Sequence, residues 1–418
     1  MHQKISPNEV FVPGKFPIEK NNAYADRGDP QKATVSALVN CYVPLIYGGY
    51  GVGKSSMVQR VAQDFKDKNR LIYVETVYGK TLSEIFKQVL EELGYQATVQ
   101  RTSSETKSTN SELGGEAEGS LFYALKVKAL AKLSKKKENN ETIVSEFLVT
   151  SPTESKIIDI CEENKILLII DELHRAESVL TSDLSAFIKA YSNKNCKNFK
   201  IALVGTENEA SRLVISDPGV DRTIDEISLP LLTDEEANEV IASGFQRLEI
   251  IVPAEIRDDL IKYSVGSPFV LQYLCLEVAK QSIEAATCVT KGMVKYALDL
   301  YAKRKAQRLI REYMASIETT GVKRYRKHIL IAMANSPDEY VTMEYLVTSV
   351  SKSLGQEIPS TALSGPLRQL KTKTKNEPIL RDVENPARGG RLTNYSAFRD
   401  PAMKAIVRMV ETASLSAD

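Results

Sequence analysis

Residues 48–56 read Gly48-Gly49-Tyr50-Gly51-Val52-Gly53-Lys54-Ser55-Ser56: four glycines, then a lysine and two hydroxyls. Glycines let a backbone curl until successive N–H groups converge on one oxyanion. The lysine can reach the outer phosphates of a nucleoside triphosphate, and the hydroxyl of Ser55 can join the shell of a Mg²⁺ ion. Gly48, four residues, then Gly53-Lys54-Ser55 is the P-loop spacing. A chance lysine in a glycine-rich turn would need no particular flanks. A working loop must join a buried strand to a helix, whose N-terminus adds partial positive charge. Both flanks are present: the apolar run Val43 to Tyr47, and the helical pattern Met57-Val58-Gln59-Arg60-Val61-Ala62.

A second constellation completes the chemistry. Lys165-Ile166-Leu167-Leu168-Ile169-Ile170-Asp171-Glu172 reads as a strand buried on both faces, as in a parallel sheet, ending in two carboxylates. Asp171 is placed to hold Mg²⁺ and Glu172 to polarise an attacking water. His174 and Arg175 follow, either as polarity at a helix start or as regulators. A third strand, Phe199 to Val204, leads into Gly205-Thr206-Glu207-Asn208, so Thr206 or Asn208 is expected between the carboxylates and the γ-phosphate. Arg222 precedes a further strand, Ile224 to Leu229. Arg27, upstream of the loop, approaches a nucleotide's base or ribose, or is a surface arginine.

The elements that must position these residues follow from the pattern. Strand Arg70 to Thr76 is followed by a helix, Thr81 to Leu93, with Thr81 and Glu84 in capping-box spacing and Gly94 as its stop. Residues 96–155 interrupt the alternation; 102–119 are rich in Ser, Thr, Glu and Gly, and 121–133 fit a helix or a hairpin. From Leu232 the pattern turns helical, with Thr233 and Glu236 as a second capping box and Gly266-Ser267-Pro268 between two helices. Residues 1–30 form an extended lead-in with two prolines at 13 and 17.

Thr290 to Ile317 is expected as one long helix. Helices over 325–334, 342–354 and 360–372, then strands over 379–383 and 392–398, spell a winged helix-turn-helix, closed by a helix over 401–412. Its third helix and the residues beyond carry Arg368, Lys371, Lys373 and Lys375; its wing tip carries Arg388 and Arg391. Residues 301–418 hold 20 Lys and Arg against 12 Asp and Glu, a net of +8, although the whole chain stands at +1. The basic residues fit phosphates of double-stranded DNA, and equally a solvated face or a protein-docking module.

Composition excludes other classes. With 43% hydrophobic and 26% charged residues the chain is ordinary for a globular protein. No apolar run approaches the ~20 residues that span a bilayer. The first seven residues have no signal-peptide core, so a cytoplasmic location is the default. Five scattered cysteines without C-x-x-C spacing argue against a zinc site or a disulfide framework.

Taken in order, these pieces resemble the AAA+ ATPases near the origin-recognition/initiator group, the archaeal-type and transposition ATPases and the related STAND group, over about residues 25–412. The resemblance implies an α/β fold: a three-layer P-loop core over 31–230 with an insertion at about 96–155, a helical lid over 231–290, and a linker helix with winged helix over 291–418. It implies ATP and Mg²⁺ as cofactors, Thr206 or Asn208 as the sensor after the fourth strand, and Arg222, with Arg212 as fallback, as an arginine acting in trans on a neighbour's γ-phosphate. The expected partners are then further copies of the chain, DNA and a recruited protein. The sequence departs from many members at the lid: no arginine stands at the start of its third helix. The glycine-x-proline at 266–268 is instead similar to the STAND and archaeal-ATPase pattern, where the proline packs near adenine, which implies a slow switch. The two functions implied are a DNA-bound loader or recruiter, as in initiation or transposition, and a signalling ATPase such as a sensor in bacterial defence.

Overall fold

The computed structural model describes residues 5–49, 51–94, 96–97, 127–128, 153–206, 213, 218–318, 325–336, 338, 340–373, 377–383, 395–400 and 402–415. It divides into two compact units, one of residues 28–48 and 57–229, the other of residues 1–27, 49–56 and 230–418.

The first unit is built on a five-stranded parallel sheet. Its strands are β1 (Val43–Tyr47), β2 (Arg70–Glu75), β3 (Ile166–Asp171), β4 (Lys200–Val204) and β5 (Ile224–Ser228), in the order β2-β3-β4-β1-β5. Every residue of β3 and β4 is buried, which explains their unbroken Ile, Leu, Val and Ala runs. Because all pairs are parallel, the strand C-termini share one edge, and β4 lies between β1 and β3. Helices α1 (Gly28–Val39), α3 (Leu82–Glu92), α4 (Glu154–Glu163) and α5 (Ser178–Ser192) belong to this unit. Phe86, Phe187, Phe199 and Tyr191 pack ring to ring in its core, with centroids 4.5, 6.4 and 5.4 Å apart in succession. The capping box at Thr81 forms, with Glu84 N–H donating to the Thr81 hydroxyl and Thr81 N–H to the Glu84 carboxylate. α2 (Lys54–Gln63) starts at the end of the glycine-rich loop and buries Met57, Val58, Val61 and Ala62. The reading of 121–133 lies outside the described residues, apart from a two-residue antiparallel pairing of 96–97 with 127–128.

In the second unit, α6 (Asp234–Arg247), α7 (Ala254–Ser264) and α8 (Pro268–Ala285) are followed by α9 (Lys291–Arg304) and α10 (Gln307–Ile317). The expected single helix over 290–317 is thus two. Lys305 and Ala306 N–H both fall back on Tyr301 C=O, and Ala306 leaves helical geometry at φ −107°, ψ 5°. The break has a packing reason. It lets Ala306, Leu309 and Tyr313 return to the core that Val294, Ala297 and Tyr301 already occupy. The N-terminal segment shares that core through Val10, Phe11, Ala23 and Ala25. Phe11 lies so close to Gly244 of α6 that a side-chain carbon built there would stand 2.4 Å from its ring.

α11 (Tyr325–Asn335), α12 (Met343–Leu354) and α13 (Ser360–Lys371) precede an antiparallel pair, β6 (Leu380–Val383) and β7 (Tyr395–Phe398), and α14 (Ala402–Leu415) closes the chain. A bridge from Val341 to Ser396 adds a third short strand position, completing the winged-helix arrangement. Among the described residues no helix is long and apolar enough to cross a membrane.

Candidate functional site

β1 ends at Tyr47, and the chain then enters the loop. Gly51 and Gly53 hold φ of +77° and +95°, where a side chain is strained, so the glycines at these positions are required. Lys54 Nζ donates to Gly49 C=O at 2.7 Å, which folds the lysine over the loop's own backbone. Gly48, Val52, Ser55 and Ser56 complete the described loop; Tyr50 lies outside the described residues.

Two residues back the loop within the same unit. Pro268, the first residue of α8, would lie 3.3 Å from a side-chain carbon built on Gly53. Arg27 is 4% exposed, so it is no surface arginine. Its Nη1 donates to Val52 C=O at 2.9 Å, its Nη2 to Pro230 C=O at 2.6 Å, and its Nε pairs with Glu236 at 3.1 Å. Glu236 is also the capping-box residue of α6, bound to Thr233 N–H at 2.9 Å. Gly266 carries φ +71° and a built side-chain carbon would sit 2.6 Å from Leu232 C=O, so glycine is forced there by close approach. The proline of the 266–268 turn therefore bears on the phosphate loop.

On the sheet unit, Asp171 ends β3 and is 2% exposed. Its Oδ2 accepts from the Tyr73 hydroxyl at 2.6 Å and its Oδ1 from Glu172 N–H at 2.6 Å. Burial, and then the Asp171 carboxylate, push the Tyr73 hydroxyl well above its ordinary pKa, so it stays a donor. Tyr73 was not singled out from sequence. Only the folded register shows it: Tyr73 pairs with Ile169 and Glu75 with Asp171, so Tyr73 and Asp171 share a face.

Glu172 follows at φ +60°, an uncommon left-handed position for a non-glycine residue. Its carboxylate lies 3.3 Å from His174 Nε2 and 3.5 Å from Arg175 Nε. His174 and Arg175 therefore hold the expected base. Thr206 follows β4 at the same sheet edge as Asp171; Asn208 and Arg212 lie outside the described residues. Arg222 is exposed in a 3-10 turn, Pro218–Arg222, just before β5 begins. It therefore lies at the N-terminal edge of the sheet, opposite Asp171.

The winged-helix candidates divide. Arg368 is exposed. Lys371 is paired with Asp382, and Lys373 with Glu377, which also takes Arg399. Lys375, Arg388 and Arg391 lie outside the described residues.

The donors suit the implied groups. Backbone amides with a lysine fit phosphates, and a hydroxyl with a buried carboxylate are hard oxygen ligands of the kind Mg²⁺ takes.

Solved structures similar to this chain span nearly its whole length, and one of them has a TM-score above 0.5. The Walker-type ATPase PABY2304 of Pyrococcus abyssi superposes over 96% of this chain and 100% of its own, at 16% identity and a TM-score of 0.52. The ORC2 protein of Aeropyrum pernix, solved with ADPNP and ADP, covers 98% of this chain and 99% of its own at 13% identity and a TM-score of 0.48. ORC1 of the same organism, solved in complex with DNA, covers 100% of both at 13% identity and a TM-score of 0.44. No curated protein matches the sequence. A family model described as an AAA domain matches residues 39–214. Those residues hold the glycine-rich loop, the 2-3-4-1 part of the sheet and both carboxylates, and over them the chain is similar to the AAA domain.

Proposed function

We propose that this chain binds and slowly hydrolyses ATP with Mg²⁺, and that the nucleotide state sets the position of its lid and winged helix. The observation that carries this reading is the seat of the loop. Gly53 lies against Pro268 of the lid, and Val52 C=O is held by Arg27, which also grips Pro230 and Glu236. A loop reshaped by a triphosphate is thereby felt at the root of α6 and α8, the differential contact a switch requires.

In this reading Gly48 to Ser56 wrap the phosphates and Lys54 neutralises the outer ones. Ser55 and Asp171 would hold Mg²⁺, which would supply positive charge against the phosphate oxygens. Glu172 orients the attacking water, and Thr206 or Asn208 reports on the γ-phosphate. Arg222 reaches a neighbouring copy's nucleotide, since within its own chain it stands at the far edge of the sheet; ATP then favours an oligomer. The rate enhancement comes from positioning and charge neutralisation.

The partner of the winged helix is double-stranded DNA in the first reading, with recruitment or loading of a second protein as the outcome. The +8 balance of residues 301–418 and the exposed Arg368 support it. The pairing of Lys371 with Asp382 and of Lys373 with Glu377 favours the second, a signalling ATPase whose winged helix docks protein. Fluorescence anisotropy of a labelled random duplex, with ATP, ADP or no nucleotide at two salt concentrations, separates them. Salt-sensitive binding that needs ATP in the Glu172→Gln variant supports the DNA reading. No binding in any state overturns it. Loss of nucleotide binding in Lys54→Ala, followed by calorimetry, tests the loop itself.

A further inference from the structure

At the N-terminal edge of the sheet, opposite Asp171, a thiol and an amine of the first unit stand in contact. Cys41 follows α1 at φ +57°, and the Tyr191 hydroxyl donates to its C=O at 3.2 Å. The Cys41 thiol donates to Lys197 C=O at 3.5 Å, and its Sγ accepts from Lys200 Nζ at 3.5 Å. Lys200 opens β4 and is 7% exposed. Its Nζ also donates to Leu38 C=O at 2.7 Å, which holds the nitrogen beside the sulfur. Two further thiols, Cys196 and Cys161, lie close enough to feel one another's charge, and Cys196 that of Cys41. The nucleotide site uses none of these groups.

The neighbours decide what an oxidised Cys41 meets. Cys41 is half-buried, so hydrogen peroxide has access to its sulfur. The resulting sulfenic acid is electrophilic at sulfur and condenses with a thiol or with a nitrogen. A thiol competes only as its thiolate. Burial, then Glu162 and Cys41, push the Cys196 thiol up to about 11, and burial, then Cys196, push Cys161 up to about 12. Both thiols therefore stay protonated near neutral pH. The Lys200 nitrogen already touches the sulfur and cannot swing away without losing its bond to Leu38.

We infer that Cys41 and Lys200 form a peroxide-driven modification site, at which a covalent S–N bridge, a sulfenamide, closes between Sγ and Nζ. In the first step the peroxide O–O bond breaks and an S–O bond forms; sulfur gives up two electrons and water leaves. In the second, Nζ attacks sulfur, the S–N bond forms and the S–O bond breaks. The departing hydroxide takes one proton from the nitrogen and leaves as water, and the other proton of the ammonium goes to solvent. One N–H remains for Leu38 C=O. The bridge ties the end of α1 to the start of β4 across 159 residues of chain. Such a link restricts the unfolded chain and so stabilises the folded one. The site makes the stability of the sheet unit respond to peroxide, independently of the nucleotide and of the winged helix's partner.

The experiment treats the reduced full chain with hydrogen peroxide and maps a non-reducing digest by mass spectrometry. The exposed thiol of Cys288 reports that the dose was sufficient. The expected product is the Cys41 peptide joined to the Lys200 peptide with two hydrogens lost, and released by dithiothreitol. The thermal midpoint should rise by at least about 4 °C on treatment and fall back on reduction. Cys41→Ser should abolish both the link and the rise. Cys196→Ser should keep both. Lys200→Arg retains the buried charge without the amine, so its Cys41 should proceed to sulfinic acid with no link; its midpoint before treatment is the folding control. Recovery of wild-type Cys41 joined to Cys196, or as an unlinked sulfinic acid, overturns the proposal. So does an unmodified Cys41 at a dose that oxidises Cys288.

Discussion

The Tyr73 hydroxyl donates to Asp171 Oδ2 at 2.6 Å, from the neighbouring strand and on the same face of the sheet. A carboxylate fixed by such a partner is oriented before any metal arrives. Tyr73→Phe should therefore raise the Mg²⁺ concentration needed for half-maximal ATP turnover by about 10- to 100-fold. An unchanged Mg²⁺ titration would remove Tyr73 from this role. Burial raises the Tyr73 pKa first and the Asp171 bond adds to it, so its stabilisation is whole below the ordinary tyrosine pKa. It is lost only as pH rises through the higher folded value. Turnover near neutral pH should show no inflection from this group.

Glu172 is held by His174 and Arg175, yet the Arg175 side chain is 52% exposed and that of Glu172 33%. Solvent screening leaves such a pair only about 0.2–1 kcal/mol. Freeing the base with Arg175→Gln should then raise basal phosphate release by no more than about fivefold. Glu172→Gln should lower it by roughly 10²–10⁴-fold while ATP binding persists. The double variant should be as slow as Glu172→Gln. A slower Arg175→Gln enzyme would show that the arginine assists hydrolysis instead of restraining it.

Arg27 joins three parts of one unit through Val52, Pro230 and Glu236. Arg27→Ala strands the buried Val52 carbonyl and a partly buried carboxylate, and should cost about 3–5 kcal/mol in chemical denaturation. Arg27→Lys should recover little, because one ammonium cannot reproduce three separated N–H groups. A midpoint unchanged from wild type would mean that the loop does not depend on this clamp.

Gly53→Ala places a carbon 3.3 Å from Pro268 at a φ of +95°. Nucleotide affinity should fall by at least tenfold while far-ultraviolet dichroism is retained, since the strain is confined to the loop. Calorimetric titration decides it; wild-type affinity would show that the loop relaxes freely.

Glu162 accepts from Lys197, Asn198 and Phe199 N–H, the last at 2.7 Å, and so ends α4 against the turn that starts β4. Burial alone would raise its pKa, but these amides outweigh burial and hold it below the ordinary glutamate value. Its stabilisation is therefore present above the unfolded pKa and lost as pH falls through the folded one. Wild type and Glu162→Gln should differ in thermal midpoint at pH 7 and converge toward pH 3. A gap that persists at pH 3 would assign the effect to packing.

Local chemistry made much of this chain legible. Gly48 to Ser55 and the run into Asp171-Glu172 announce themselves because phosphate binding and a doubly buried strand each demand one pattern. The capping boxes at Thr81 and Thr233 formed for the same reason: their partners are three residues away. The helix break at Lys305-Ala306 was hidden, because helical period continues through it and only the need to return Leu309 and Tyr313 to the core ends it.

The sequence by itself determined the loop, the carboxylate pair, the α/β class and the winged-helix order. All are set by neighbours in the chain or by strand period. Only tertiary structure decided that Tyr73 belongs to Asp171, that Arg27 is buried beneath Val52, that Pro268 closes on Gly53, and that Lys371 and Lys373 are already paired with carboxylates. The partners in the first three are 98, 25 and 215 residues apart. Contacts across such distances leave no periodic trace in a single sequence, because the register and packing that create them exist only once the chain has folded.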